Sequence, residues 1–407
     1  MNEARNANDL EEGRAAYIDL PLNGLKVIEF CNVAAGPFCG MLLGDMGASV
    51  IKVEPAAGDS LRQWPPITNG FSENFASLNR NKRSIALDLK SPDDRAIARG
   101  LIEQADVVIE NNRPGVMTRL GLGYESFAET HPRLIYCSIS AYGQTGPRSQ
   151  GGGFDVTIQA MSGIMSVTGE PGQPAVKAGV PVSDFTTGLY GAFAVSSLLN
   201  RVRTGGRGGF IDISMLGASL AVSALQVSEY FGSGRDPKPL GSAHPRNAPY
   251  QAFSARDGDF VLAAGNEKLW RQVCEILGCM DLHADERFHL MANRVKNQQL
   301  LAELLSEIFA RWSVDDLLKA FETAGIPCSR INSYSEALAD PQVGHMGWVS
   351  DVELPGGSMT HMFGSPLMID GVQLPIRLTP PALDADRAAI LAEGGFAPPA
   401  SVAPVRA

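Results

Sequence analysis

Apolar positions in the first 150 residues fall in short runs separated by helical patterns. "LKVIEF" (25–30) is one such run, a helix pattern follows around Phe38 to Asp45, and "SVIKVE" (49–54) is a second strand. "RSIALDL" (83–89), "DVVIEN" (106–111) and "RLIYCSIS" (133–140) read as further strands, and "DDRAIARGLIEQA" (93–105) as a helix opened by Ser91-Pro92. Strands alternating with helices predict βαβ units, a mostly parallel sheet and right-handed crossovers. The run Gly151-Gly152-Gly153 breaks the pattern and predicts a flexible loop. A helical pattern resumes in "FDVTIQAMSGIMSVTG" (154–169). Val176 to Val182 then reads as extended and Phe185 onward as a helix, which puts Asp184 at the seam.

From Gly241 to Asp340 the pattern changes. "APYQAFSARDGDFVLAAG" (248–265) predicts two strands about an Asp-Gly turn. Helices follow at "EKLWRQVCEILG", "LLAELLSEIFARW" and "VDDLLKAFETAG", the last capped by Ser313. This is a second, smaller α/β domain. "FAPPASVAPVRA" at the C-terminus is Pro/Ala-rich and reads as disordered.

Composition adds exclusions. The 407 residues are 44% hydrophobic and 19% charged, a globular profile with room for two or three domains. A net charge of −10 argues against a nucleic-acid partner. The N-terminus shows no signal-peptide pattern and no apolar run is long enough for a membrane span, so the expectation is a cytoplasmic protein. The six cysteines form no CxxC pair and the six histidines no HExxH, so free thiols and no metal are expected.

"VIEFCNVAAGPFCGMLLGDMGASVIKVE" imitates a dinucleotide-binding unit, with Glu54 ending the second strand. Its turn lacks G-x-G-x-x-G and carries Ala34, Ala35, Gly36 and Pro37 instead, which disfavours a nicotinamide cofactor. Two readings stay open: a phosphate or polar ligand at the helix start, or a tight turn serving packing alone. Arg80, Lys82 and Arg83 cluster in "NRNKRS". Lys90, Asn111, Asn112 and Arg113 fall just past predicted strand ends, with Arg119 shortly after, where ligands collect in a parallel sheet. Amides and guanidinium forks there suit a phosphorylated nucleotide such as coenzyme A. Taken alone, Asp184 reads as a helix cap.

Several long stretches carry a resemblance. "LPLNGLKVIEFCNVAAGPF", "GDMGASVIKVEP", "NRNKRSIALDLKSPDDR", "ADVVIENNRPGVMTRLGLGYE", "PRLIYCSISAYGQTGP", "VPVSDFTTGLYGAFAV" and "AGIPCSRINSYSEALADPQV" occur in the right order. From about Leu20 to Leu383 the chain resembles the family III CoA-transferases, the group of formyl-CoA transferase and carnitine CoA-transferase, whose superfamily includes α-methylacyl-CoA racemase. The resemblance implies a Rossmann-like large domain with a mostly parallel sheet, a smaller α/β domain, and two chains interlocked as a homodimer. It divides the chain into a tail (1–19), a large CoA-binding domain (20–225), a linker and small domain (226–345), a return segment (346–390) and a disordered tail (391–407).

It also implies that CoA moves from an acyl-CoA to a carboxylic acid, with no permanently bound cofactor, through covalent intermediates on an aspartate that falls on Asp184. CoA contacts carry over to Ala34, Ala35, Leu87 through Lys90, Asn111, Asn112, Arg113 and Arg119. Asp155 is placed among the CoA contacts, with ordering of the active-site loop or capping of its own helix as alternatives. Phe154 is expected beside the acyl group, where the racemases carry a histidine, so the second proton carrier a racemase needs is missing. The chain departs from relatives at Pro55, where some place an arginine, and at Gly152, where formyl-CoA transferase has a lysine; the later glycine-rich lid is not evident. The glycine run 151–153 is a candidate cover that keeps water from a reactive anhydride. A CoA-binding protein without catalysis is the reading from another class. His244 and Arg246 are candidates for a second carboxylate on the substrate.

Overall fold

The computed structural model of the protein describes residues 19–396. Most of the first expected tail, and everything past 396, lies outside the described residues. The described residues form two compact units, one built from 19–158, 181–222 and 345–396, the other from 159–180 and 223–344.

The first unit is organised on six strands: β1 (Lys26–Phe30), β2 (Ser49–Glu54), β3 (Lys82–Ala86), β4 (Val107–Glu110), β5 (Ile135–Ser140) and β6 (Gly209–Ser214). All pair in parallel, in the order β3-β2-β1-β4-β5-β6. The order reverses between β1 and β4. There the connections leave to opposite faces and a crevice opens beyond the strand ends. Side chains alternate between the faces. Val27, Val107, Ile109, Ile135 and Ile139 pack under helices α1 (Ala35–Asp45) and α4 (Val182–Arg203). Ile28, Phe30, Val108 and Tyr136 face the other way, against Leu101 and Ile102 of α2 (Pro92–Glu103). Ser91 caps α2 by accepting from the Asp94 N–H, as the Ser-Pro start predicts.

Helix α4 lies close on α1 because it presents small residues there. A Cβ at Gly188 would stand 2.7 Å from the Ala35 carbonyl oxygen, and one at Gly191 would stand 2.9 Å from Cys39 Sγ. This close approach brings the first turn of α4 beside the turn that follows β1.

Three expectations change. Val176 to Val182 is not a strand: 174–181 is irregular, with Val176 and Val180 exposed, and Val182 already begins α4. No residue of 174–181 pairs in a sheet, so the alternation in that segment builds no strand. β6 was not anticipated, since "GFIDIS" alternates without a continuous apolar run. The helix Arg387–Gly394 enters the expected C-terminal tail, burying Ile390 and Leu391 in the sheet core with Phe396 against them. Just before it, Asp384 and Asp386 accept from the Ala86 and Ser84 N–H groups, covering the β3 edge.

The second unit holds an antiparallel sheet of Tyr250–Ala255, Gly258–Ala263 and Cys328–Arg330. Its hairpin turns at Arg256-Asp257, with Gly258 already paired to Ala255, one residue earlier than the Asp-Gly signal suggests. Helices Glu267–Leu277, Gln298–Phe309 and Val314–Thr323 enclose a core of Trp270, Phe253, Phe260, Phe309 and Phe321. Ser313 caps the last of these. Among the described residues no helix is long and apolar enough to cross a membrane.

Gly188→Val should cost about 1–3 kcal/mol, because the added atoms meet backbone rather than a movable side chain. The urea midpoint measures this; an unchanged midpoint would contradict the packing described.

Candidate active site

The turn after β1 is held from beneath by a buried ionic group. Glu29 on β1 and Lys52 on β2 are direct cross-strand neighbours. Lys52 Nζ lies 3.0 Å from Glu29 Oε1 and 3.0 Å from Asp59 Oδ2, and Lys82 Nζ lies 2.9 Å from Glu29 Oε2. All four side chains are essentially without solvent. Each of three members also holds the turn: Lys52 donates to the Cys31 carbonyl (2.7 Å), Lys82 to the Pro37 carbonyl (2.8 Å), and Asp59 accepts from the Val33 N–H (3.2 Å). Val33 has a φ of 63°, a region costly for a branched residue, so these bonds hold a strained turn. Burial opposes the Lys52 charge, but Glu29 and Asp59 outweigh it and keep the ammonium well above the usual lysine range. Lys82 is pushed down by burial, with Glu29 opposing.

The neighbouring charges are also committed. Glu54 accepts two bonds from Arg62 (2.8 and 2.7 Å) and one from Ser84 Oγ (2.6 Å). The "NRNKRS" cluster is not a free cationic rim: Arg80 pairs with Asp45, Lys82 with Glu29 and Arg83 with Glu393.

At the end of β4 the two asparagines serve the loop. Asn111 accepts from the Asn32 N–H (3.0 Å) and donates to the Asn32 carbonyl (2.8 Å), latching β1 to β4 at the crevice. Asn112 donates its own N–H to Glu110 (2.8 Å) and its side-chain amide reaches the Phe30 carbonyl (3.4 Å). Both asparagines line the first cavity while their polar groups also close the strand ends.

Two cavities open there. One, of about 260 Å3, is lined by Asn32 to Ala35, Asn111 to Pro114, Gly151 to Phe154 and Asp184. The other, of about 400 Å3, is lined by Pro55, Leu87 to Lys90, Asn112, Val116 and Arg119. Asn32 and Asn112 border both. The first thus gathers Ala34, Ala35, Asn111, Asn112, Arg113, Phe154 and Asp184, and the second gathers Leu87, Lys90 and Arg119. Lys90, Arg113 and Arg119 are exposed cations. Phe154 is 74% exposed. The glycine run forms a wall of the first cavity; a Cβ at Gly153 would stand 2.7 Å from Ala141 Cβ, so glycine is needed there for close passage.

Asp184 is not a cap. It is the third residue of α4, whose N-cap, Pro181, offers no side chain. The capping carboxylate comes from outside. Asp155 Oδ1 accepts from the Ser183 N–H (2.9 Å) and the Asp184 N–H (3.4 Å). Asp155 thus caps α4 from outside that helix, and it is not among the residues lining either cavity. A carboxylate in a helix first turn is ordinarily stabilised as the anion. Here those donors serve Asp155, and burial together with the Asp155 charge pushes Asp184 up to about 7.

His244 and Arg246 lie in the second unit, where Arg246 pairs with Glu229 (3.0 Å) and donates its N–H to His244 Nδ1. Among the described residues no group of three or more His, Cys, Asp or Glu could hold a metal ion.

The family model of CoA-transferase family III matches residues 22–387. The chain belongs to that family. It is 41% identical over 381 residues to a succinate–glutarate CoA-transferase of Agrobacterium fabrum, covering 92% of this chain and 95% of the relative. It is 41% identical to the human succinyl-CoA:glutarate CoA-transferase over 82% of this chain and 77% of that one. A crystal structure of a CaiB/BaiF family protein from Brucella suis superimposes with a TM-score of 0.82 at 40% identity, over 92% of this chain and 99% of that one. The protein is therefore a CoA-transferase, and acyl-CoA is its substrate.

In this family III chain, sequence reasoning missed the parts that hold the site: Glu29, Lys52 and Asp59 beneath the turn, and Asn32 between the cavities. Charges inside the apolar strands "VIEF" and "VIKVE" were the available signal, because an ion there must meet a partner.

Lys52→Met leaves Asp59 buried without its cation and Glu29 with Lys82 alone, and should cost about 3–5 kcal/mol, read from the urea midpoint. Asp184 has a folded pKa above its unfolded one, so its ionisation carries a cost in stability, a cost absent below about pH 4 and complete above about pH 7. Asp184→Asn should therefore raise the melting temperature near pH 8 and leave it unchanged or lower near pH 4.

Proposed function

We propose that Asp184 is the nucleophile of the transfer. The carrying observation is that the cavity at the sheet's switch point presents one half-buried carboxylate beside the β1–α1 turn. An Asp184 oxygen attacks the thioester carbonyl, the C–S bond breaks, and CoA leaves as the thiolate, giving a mixed anhydride. The thiolate then attacks the aspartyl carbonyl carbon and releases the first acid, which carries an oxygen from Asp184. The acceptor carboxylate attacks the resulting aspartyl-CoA thioester, thiolate departs, and its attack on the acceptor's acyl carbon forms the new thioester and restores Asp184. No water enters, so the thioester free energy is conserved.

Lys90 and Arg119, exposed on the second cavity, suit the phosphates of CoA, with the acyl end reaching Asp184 past Asn32 and Asn112. Phe154 supplies apolar surface beside the acyl group. The donor and acceptor are small dicarboxylic acids, since the relatives are named for succinate and glutarate. Arg113 lines the first cavity and gives an anionic end a partner. Arg246 is already paired with Glu229. The same reading includes a homodimer of interlocked chains, a cytoplasmic setting and no permanently bound cofactor. A racemase needs a second acid/base, and the residues lining the first cavity include one carboxylate and no histidine.

The test is Asp184→Ala assayed with succinyl-CoA and glutarate. Transfer should fall at least about a thousandfold while CoA affinity stays within about threefold. Near-normal turnover would remove the mechanism, and loss of CoA binding would make Asp184 structural.

A further inference from the structure

A carboxylate from another helix grips the backbone of Asp184 at the start of α4 in a way the transfer chemistry does not itself require. Asp155 opens α3 (Asp155–Met161), and its Oδ1 reaches across to the Ser183 and Asp184 N–H groups. The grip continues inward. Ser183 Oγ accepts from Ser219 Oγ (2.8 Å), and Thr187 Oγ1 donates to the Ser183 carbonyl (2.6 Å). Ser183, Thr187 and Ser219 are all buried. The backbone at Ser183-Asp184 is thus held on both sides, and Asp155 supplies the charged hold.

We propose that Asp155 is a positioning residue for the transfer: its carboxylate fixes the backbone of Asp184 and sets a negative charge beside the nucleophile, which repels the free carboxylate but not its neutral acylated forms. The inference rests on the reading of Asp184 as the nucleophile. Its physical content is simple. Free Asp184 is an anion next to an anion, while the anhydride and the aspartyl-CoA thioester are neutral at that position. Repulsion from Asp155 therefore raises the free carboxylate relative to both covalent intermediates and makes it a more basic attacking group. A cap supplied by Asp184 itself would do the reverse, because its oxygens would be tied to N–H donors.

The other charged groups around α4 leave this assignment standing. Arg113 lines the same cavity from the β4 loop. Asp212 on β6 accepts from the Gln144 N–H. On α1 the charged residue is Asp45, at the far end and paired with Arg80. β5 and the helix Met215–Val222 carry none. The near charge that pushes Asp184 upward is Asp155, after burial.

The experiment compares wild type, Asp155→Asn and Asp155→Ala in the full chain, with succinyl-CoA and glutarate from about pH 5 to 9. Wild type is first trapped during turnover with hydroxylamine or borohydride and its peptides are weighed. The amide oxygen of the asparagine variant can still accept the two N–H bonds but carries no charge. Asp155→Asn should move the acid limb of kcat/KM down by about one pH unit, with KM for succinyl-CoA within about threefold. Asp155→Ala should move the limb likewise and lose on the order of a hundredfold in kcat at high pH, because the backbone hold is gone. An unmoved limb in Asp155→Asn overturns the proposal. So does a large rise in KM at unchanged kcat, which would put Asp155 against CoA. If wild type is never marked at Asp184, the nucleophile reading falls and takes this one with it; if it is marked and the limb stays, Asp155 alone is wrong.

Discussion

A lysine ammonium without water must be met by carboxylates, and the Lys52 ammonium is met by Glu29 and Asp59. The site depends on that requirement. The three groups sit on β1, on β2 and just beyond β2, so satisfying the charge fixes where the strands stand and where the chain turns after β1. The Cys31 carbonyl and the Val33 N–H are then not free to move, and Val33 keeps a backbone angle it would otherwise leave. Asn111 locks the adjacent Asn32 to β4. What results is a rigid crevice between β1 and β4, at the place where a parallel sheet reverses its winding. The ionic group is there to hold a shape; an apolar replacement of the same volume would pack without gripping the turn.

Onto that crevice the fold lays α4. Small residues at Gly188 and Gly191 let it approach α1, and the approach sets its first turn at the cavity wall. Asp155 then takes the N–H donors that an aspartate in that turn would use. One carboxylate holds the backbone while the other stands partly buried beside a like charge. The flanking cations Lys90, Arg113 and Arg119 remain exposed, unlike Arg80, Lys82 and Arg83, which the fold consumes in ion pairs.

Much of this was legible in the sequence where one residue type admits one job. Short apolar runs predicted β1 to β5, Ser91-Pro92 predicted the start of α2, and Ser313 its helix. The residues placed around the crevice did gather there, save Asp155. The illegible parts are those settled by partners far along the chain. Asn111 looked like a free amide because nothing local shows its bond to Asn32, 79 residues away. "NRNKRS" looked like a cationic rim because Asp45, Glu29 and Glu393 are remote. Asp184 looked like a cap because the capping carboxylate comes from another helix. β6 and the alternation at Val176 show the same limit from the other side: a strand is made by an available edge, and the pattern alone does not say whether one exists.

The central claim is that an oxygen of Asp184 is exchanged with the acids it serves. Glutarate labelled with 18O in both carboxylates, turned over with succinyl-CoA, tests it most directly. Each cycle should leave one labelled oxygen on Asp184 and pass it to the next acid released, so the peptide containing Asp184 becomes heavier and the freed succinate carries label. Labelled succinate with an unlabelled Asp184 peptide would mean that the acceptor attacks the thioester directly, and the account would be wrong.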